Sequence, residues 1–479
     1  MSVTGANYLL DFGVPLPKLT LALPASHKSQ TGPPTISGSE TLRTATSASG
    51  RRVLVDCGLF QGSKYTEKLN YTDFKYNPKT IDFVFITHSH TDHIGRLPKL
   101  FQAGFSGKIY ATEPTKDLMA RAFPDNWRLI AEEAKRDKHE PLYGIGDIEA
   151  VVGLIESVGY HQKVEISEDI TATFLNAGHI LGSAILCFEY KENGETRKIY
   201  FTGDLGNSPS LLLPDKEFVE DADYVVVESA YGSRVHEDVD QRSQIFGEVV
   251  KHIISSRGTL MIPSFAIERT QEMLFEINKL LNTGVISKLP VFIDSPLAVK
   301  MTEVYSKYPD YLKKEAQKFG GNIFSFPGLR QTETAADSKK INDVPPPKVI
   351  IAGSGMSNGG RILHHERRYL SDPNSAIVFV GYQVEGSLGR KILDGASEVK
   401  IFGEIVPIRC LVKGIGGYSA HADQLALTEW VRKANEEKKL KKVFVVQGEE
   451  SSAGALAEVI KSRVQVEAVI PKPGEEFKL

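Results

Sequence analysis

Residues 87 to 95 read THSHTDHIG, and four metal-capable side chains, His88, His90, Asp92 and His93, fall within six positions of it. The segment follows the apolar run IDFVFI, which predicts a strand, and opens HIGRLPKLFQAG, which predicts a helix. Donors at the mouth of a strand can converge. His88 and His90 lie two apart on extended chain and point the same way, while Asp92 and His93 turn with the helix start towards a second point. Imidazole and carboxylate are the donors zinc takes when it keeps an open position for water. The competing reading is a histidine-rich surface loop, which the crowding of four donors disfavours.

Two further pieces fit the same plan. His179 sits in LNAGHILGS and Asp204 in IYFTGDLGN, each at the end of a predicted strand, with Gly178 and Gly203 allowing a tight turn beside a metal. Either alone reads as structural; together they complete a set. His88, His90 and His179 would hold one zinc, Asp92 and His93 the other, and Asp204 would bridge both. Two metals about 3.5 to 4 Å apart activate a water and neutralise charge in a phosphoryl transition state. Asp56, in VLVDCG, is assigned a hydrogen bond to a ligand or to the HSHTDH loop; an exposed turn aspartate is the equal alternative.

Composition bounds the rest. A chain of 479 residues, 41% hydrophobic and 24% charged, implies two domains or one inserted in another. No apolar run reaches the length of a membrane span, which excludes a helical membrane protein. Cys57, Cys187 and Cys410 are scattered, and no charged and apolar leader opens the chain, so the reading is reduced thiols and a cytoplasmic location. With a net charge of −3 there is no global basic signature, and any nucleic acid would have to be held in a local groove.

Residues 14 to 50, crowded with Pro, Ser, Thr and Gly, read as a long loop or loose hairpin between the strands of VTGANYLLDF and RRVLVDCG. Alternating strands and helices follow, then four strands (ITATFLNAG, AILCFEY, KIYFTGD, ADYVVVES) suggesting a second sheet. From about Ser233 the amphipathic helices QIFGEVVKHIISSRG, TQEMLFEINKLLNTG and KMTEVYSKYPDYLKKEAQKFG interleave with TLMIPS, PVFIDS, KVIIAGS and AIVFVG, a parallel α/β unit of its own. A helix, the strand KVFVVQG, another helix and a last strand close the chain.

The ordered motifs VTGANYLL, LVDCGLFQG, THSHTDHIGRLP, AGHILGSA, FTGDLG, ESAYG, SGM, GYQVEGSLGR and YSAHAD resemble the β-CASP ribonucleases of the metallo-β-lactamase fold along nearly the whole chain. The resemblance implies an α/β fold: a metallo-β-lactamase αββα sandwich with an inserted β-CASP α/β domain. The expected division is 1–233 and 413–479 for the sandwich and 234–412 for the insertion. It also implies hydrolysis of RNA phosphodiester bonds between the two. Glu228 in ESAYG matches the family's acidic residue and His421 in YSAHAD the histidine it orients, a general acid for the leaving oxygen, so the catalytic set becomes His421, Glu228, Asp92 and Asp204. Ser419 and Ser354 match positions facing the scissile phosphate, although the glycine-rich turn around Ser354 reads equally as a flexible loop. Ser387 and Arg390 in EGSLGR are candidate phosphate contacts, and Tyr231 and Tyr418 candidate base-stacking rings.

One departure stands out. Where the family carries a histidine completing the second zinc site, this chain reads FVVQGEE, with Gln447. An amide oxygen is a poorer zinc donor than imidazole and better suited to harder ions. Gln447 coordinates weakly, or a water or Glu449 substitutes, or one metal is absent or replaced by manganese. The expectation is two Zn2+ per chain with a looser second site, single-stranded RNA as substrate, a second copy of the chain as an optional partner, and neither membrane nor small-molecule cofactor. The alternatives are a non-catalytic RNA-binding scaffold and a hydrolase of small esters; the retained donors oppose the first, and the inserted domain opposes the second.

Overall fold

A computed structural model describes residues 5–12, 17–21, 50–61, 67–236, 239–319 and 322–479. Two seven-stranded sheets face each other. In the first, Glu476–Lys478, Lys18–Leu21, Tyr8–Asp11, Arg52–Val55, Phe83–Phe85, Lys108–Ala111 and Ile155–Ser157 lie side by side. The second runs Glu467–Val469, Lys442–Val446, Tyr224–Glu228, Glu195–Phe201, Ala184–Glu192, Ile170–Asn176 and Lys163–Ser167. Val53, Val55, Phe85, Phe174, Leu186, Phe188, Phe201 and Phe444 fill the space between them.

Helices cover both outer faces. Met119 and Phe123 of Glu113–Asp137, with Leu97 and Leu100, pack on the first sheet; Trp430 and Val431 of Gln424–Ala434, with Leu456 and Ile460 of Glu450–Arg463, pack on the second. This is the αββα sandwich. Between its parallel neighbours Tyr224–Glu228 and Lys442–Val446 the chain leaves to build another unit. That unit is a six-stranded parallel sheet ordered Leu329–Gln331, Val291–Asp294, Lys348–Ala352, Thr259–Pro263, Ala376–Phe379, Leu411–Gly414. Its inner strands are buried along their length, which is why they read as continuous apolar runs.

Three local features differ from the sequence reading. Lys18–Leu21, inside the segment expected to be a long loop or loose hairpin, is a strand paired antiparallel to Tyr8–Asp11, with Leu19 buried opposite Leu10, so the hairpin alternative fits its first residues and the loop reading does not. Residues 22–49 lie outside the described part. Leu411–Gly414 spans the expected boundary at 412/413 and is hydrogen-bonded into the inserted sheet, so the chain re-enters the sandwich after Gly414. The single helix expected from KMTEVYSKYPDYLKKEAQKFG ends at Lys307 and is followed by the turns Pro309–Tyr311 and Lys314–Gln317. Pro309 cannot donate to the helix ladder, and it drives Tyr308 out of the helical region, to φ −118 and ψ 59.

Candidate metal centre

Strand ends assemble the donors. After Phe83–Phe85 the chain bends at Thr87, passes His88 and enters the helical turn Thr91–Ile94, with His90 (φ −66, ψ 146) at its cap. His179 comes from the turn after Ile170–Asn176 and Asp204 from the turn after Glu195–Phe201. Gly203 has φ +52, and a side chain there would meet Thr87 at 2.7 Å, so the close approach of the two loops requires glycine. One ligand atom each from His88, His90, His179 and Asp204 lies within 4.8 Å of all the others.

The electrostatics suit a divalent metal. Burial pushes His88 and His179 well down and brings His90 to about 4, so all three are neutral at pH 7. Outer hydrogen bonds set their tautomers: His179 Nδ1 faces the Ala420 carbonyl at 3.2 Å, and His88 Nδ1 faces Thr87 Oγ1 at 3.0 Å. The Nε2 lone pairs therefore point inward. His88 Nε2 lies 3.1 Å and His179 Nε2 3.2 Å from His90 Nδ1, and the buried Asp204 Oδ1 has no hydrogen-bond partner among the described residues. Converging lone pairs and an orphaned carboxylate oxygen are the arrangement a cation would satisfy.

The second half is built differently. His93 Nε2 lies 3.4 Å from Asp204 Oδ1 and 4.0 Å from Asp92 Oδ2, and Gln447, from the end of Lys442–Val446, reaches both His93 and Asp92. Asp56 is fully buried beneath them. Its carboxylate accepts from Thr87 N and Thr87 Oγ1, both at 2.8 Å, and from His93 Nδ1 at 2.7 Å. The exposed-turn alternative for Asp56 is thereby excluded. Thr87, which the sequence reading missed, ties Asp56 to His88 through one hydroxyl; the signal available was its place just before the first histidine. Asp56→Asn should weaken metal binding by roughly 10- to 100-fold through mis-set ligands, measured by competition with a chromophoric chelator; unchanged affinity would limit Asp56 to a folding role.

Beside the cluster stands a carboxylate–imidazole pair. His421 Nδ1 lies 3.2 and 3.3 Å from the two oxygens of buried Glu228, which also accept from Leu205 N at 2.7 Å and Ala230 N at 3.3 Å. Burial disfavours the charged imidazole, but Glu228 and the nearby Asp204 outweigh it and push His421 up to about 9. A partly exposed imidazolium therefore faces the metal cluster. His421 Nδ1 is 3.9 Å from Asp204 Oδ2, so Asp204, Glu228 and His421 could also be read as a metal-holding trio. His236, absent from the sequence reading, holds the His421 carbonyl through Nε2 at 2.9 Å.

The outer candidates divide. Ser419 is at the site, its hydroxyl accepting from His421 N at 3.3 Å. Ser354 lies in a turn closed by Asn358 N onto its hydroxyl at 3.1 Å. Ser387 is buried and caps the helix Leu388–Leu393 by accepting from Arg390 N, while the Arg390 side chain pairs with Asp394 at 2.8 Å. Tyr418 is fully buried against Phe246, so it cannot stack on a base; in the YSAHAD context its position read as a loop, and only packing reveals the core. Tyr231 lies beside His421 (6.1 Å between centroids) and against Tyr382 at 5.5 Å, whose ring carries the exposed Arg234 at 5.1 Å. The inserted domain also reaches into the metal-bearing loop: the Tyr305 hydroxyl accepts from Leu181 N at 3.2 Å and donates to Glu268.

Histidines and aspartates gathered at the strand ends of an αββα sandwich, with a parallel α/β domain packed across them, define a metallo-β-lactamase-fold hydrolase. Residues 47–203 match the metallo-beta-lactamase superfamily domain, 270–392 the Beta-Casp domain and 405–471 the Zn-dependent metallo-hydrolase RNA specificity domain. The chain is 38% identical to ribonuclease TTHA0252 of Thermus thermophilus over 87% of its length and 92% of that protein's. It is 32% identical to an RNase J-like protein of Methanocaldococcus jannaschii (88% and 93%) and 31% identical to transcription termination factor FttA of Methanosarcina mazei (87% and 66%). The chain belongs to the β-CASP family of metallo-β-lactamase-fold ribonucleases.

Proposed function

We propose that this protein is a zinc-dependent ribonuclease that hydrolyses phosphodiester bonds of single-stranded RNA at the junction of the sandwich and the inserted domain. The observation that carries the reading is the four-donor cluster of His88, His90, His179 and Asp204 standing against the Glu228–His421 pair. His88, His90, His179 and Asp204 would hold one metal, and Asp92, His93 and Asp204 the other. Bound there, divalent metal supplies an activated water and charge neutralisation for the phosphoryl group.

The chain's own residues supply the rest. His421, protonated at neutral pH, gives its proton to the leaving ribose oxygen as the P–O bond breaks, and Glu228 holds the ring in place and supports its charge. Asp56 and Thr87 keep His93 and His88 aimed inward. Tyr231 is buried beside His421, and the partly exposed Tyr382 ring packed on it, with Arg234 over that ring, offers a face and a guanidinium suited to an unpaired base and phosphate. Three buried free cysteines, and described helices none of which is long and apolar enough to cross a membrane, support a cytoplasmic setting.

The test is cleavage of an end-labelled single-stranded RNA before and after chelation. Chelator should abolish cleavage, and zinc should restore it. Cleavage that survives metal removal would overturn the metal dependence, and no cleavage with any added metal would favour the RNA-binding scaffold, the alternative that Gln447 speaks for.

A further inference from the structure

The two halves of the metal centre differ in how their lone pairs are used. Around His88, His90 and His179 ring nitrogens face one another at 3.1 and 3.2 Å. At Asp92 and His93 a protein donor is already in place. Gln447 Nε2 lies 2.9 Å from Asp92 Oδ2 and 3.3 Å from His93 Nε2. His93 Nδ1 lies 2.7 Å from Asp56 Oδ2 and its Nε2 3.4 Å from Asp204 Oδ1, so the ring is held between two carboxylates with the Gln447 amide against its inner nitrogen. The amide donates to Asp92 Oδ2. A single NH2 group thus engages two of the atoms that a second metal would need.

The backbone maintains this pose. Gln447 adopts φ +52, a conformation non-glycine residues adopt seldom, and it is followed by Gly448, where a side chain would meet Ser229 Oγ at 2.4 Å. To admit a cation, Gln447 must release Asp92 and rotate its amide to present Oε1. The donors would then be one imidazole nitrogen and oxygens from Asp92, Asp204 and Gln447, a set that favours a harder ion over zinc.

Resting on the metal-dependent reading above, we propose that Gln447 makes the centre asymmetric: one zinc held tightly by His88, His90, His179 and Asp204, and a weak, exchangeable second position that prefers manganese or magnesium. Metal content of purified, dialysed protein by mass spectrometry, joined to calorimetric titration with manganese and zinc, tests it on the wild type, Gln447→His and Gln447→Glu. The wild type should retain one zinc and bind a second equivalent of manganese weakly. Gln447→His should retain two zincs, with second-site affinity raised by more than about 100-fold, beyond the effect of a change outside the ligand set. Gln447→Glu, close in shape and charged, should also gain the second metal, so the test stands if the histidine variant folds poorly. Two tight zincs in the wild type, or one in all three proteins, would overturn the asymmetry while leaving a metalloenzyme. No bound metal in any of them would overturn the metal-dependent reading itself.

Discussion

Asp204→Asn should eliminate RNA cleavage while leaving the protein folded. Asp204 faces both halves of the centre, with Oδ2 at 3.4 Å from His88 Nε2 and 3.6 Å from His179 Nε2, and Oδ1 at 3.4 Å from His93 Nε2. The amide keeps the shape of the carboxylate but removes its charge and turns one acceptor into a donor aimed at neighbouring lone pairs. The loss should therefore exceed the roughly 10- to 100-fold typical of a partner that only orients a ligand. Single-turnover cleavage of labelled RNA, run beside thermal unfolding, checks it. A folded variant retaining a tenth or more of wild-type activity would remove Asp204 from the catalytic set.

His421→Ala should slow RNA cleavage by about 10²- to 10⁴-fold, the usual contribution of a placed general acid. The informative comparison is with bis(4-nitrophenyl) phosphate, whose leaving phenolate needs no proton. If His421 supplies the proton, the alanine variant should hydrolyse this activated diester at close to the wild-type rate, and Glu228→Gln should show the same selective defect in milder form. The reverse pattern, equal loss on both substrates with reduced metal content, would identify His421 as a ligand alongside Asp204 and Glu228, an arrangement the 3.9 Å distance between His421 Nδ1 and Asp204 Oδ2 allows.

Much of the metal centre was legible because its signals are local. Extended chain aligns His88 with His90, and the cluster then recruits His179 and Asp204 from strand-end turns with positive-φ glycines. The Glu228–His421 pair was legible only through family resemblance: its members lie 193 positions apart, and neither stands in a short-range pattern that declares its chemistry. Ser387 and Tyr418 show the limit from the other side. A serine before a short helix and a tyrosine in a glycine-rich loop look available for a ligand, yet one is used up as a cap and the other is sealed in the core.

The sequence by itself determined the alternation of strands and helices, the strand-end location of six candidate metal donors and the presence of a second α/β unit, since these follow from periodicity and turn chemistry within a few residues. Tertiary structure alone decided which ends meet. The parallel pairing of Tyr224–Glu228 with Lys442–Val446 brings Gln447 to Asp92 across 355 positions, and the return of the chain after Gly414 sets His421 against Glu228. Sheet register and the packing of one domain on another are sums over many weak contacts distant in sequence, so the direction of one amide hydrogen bond becomes visible only when the whole fold is assembled.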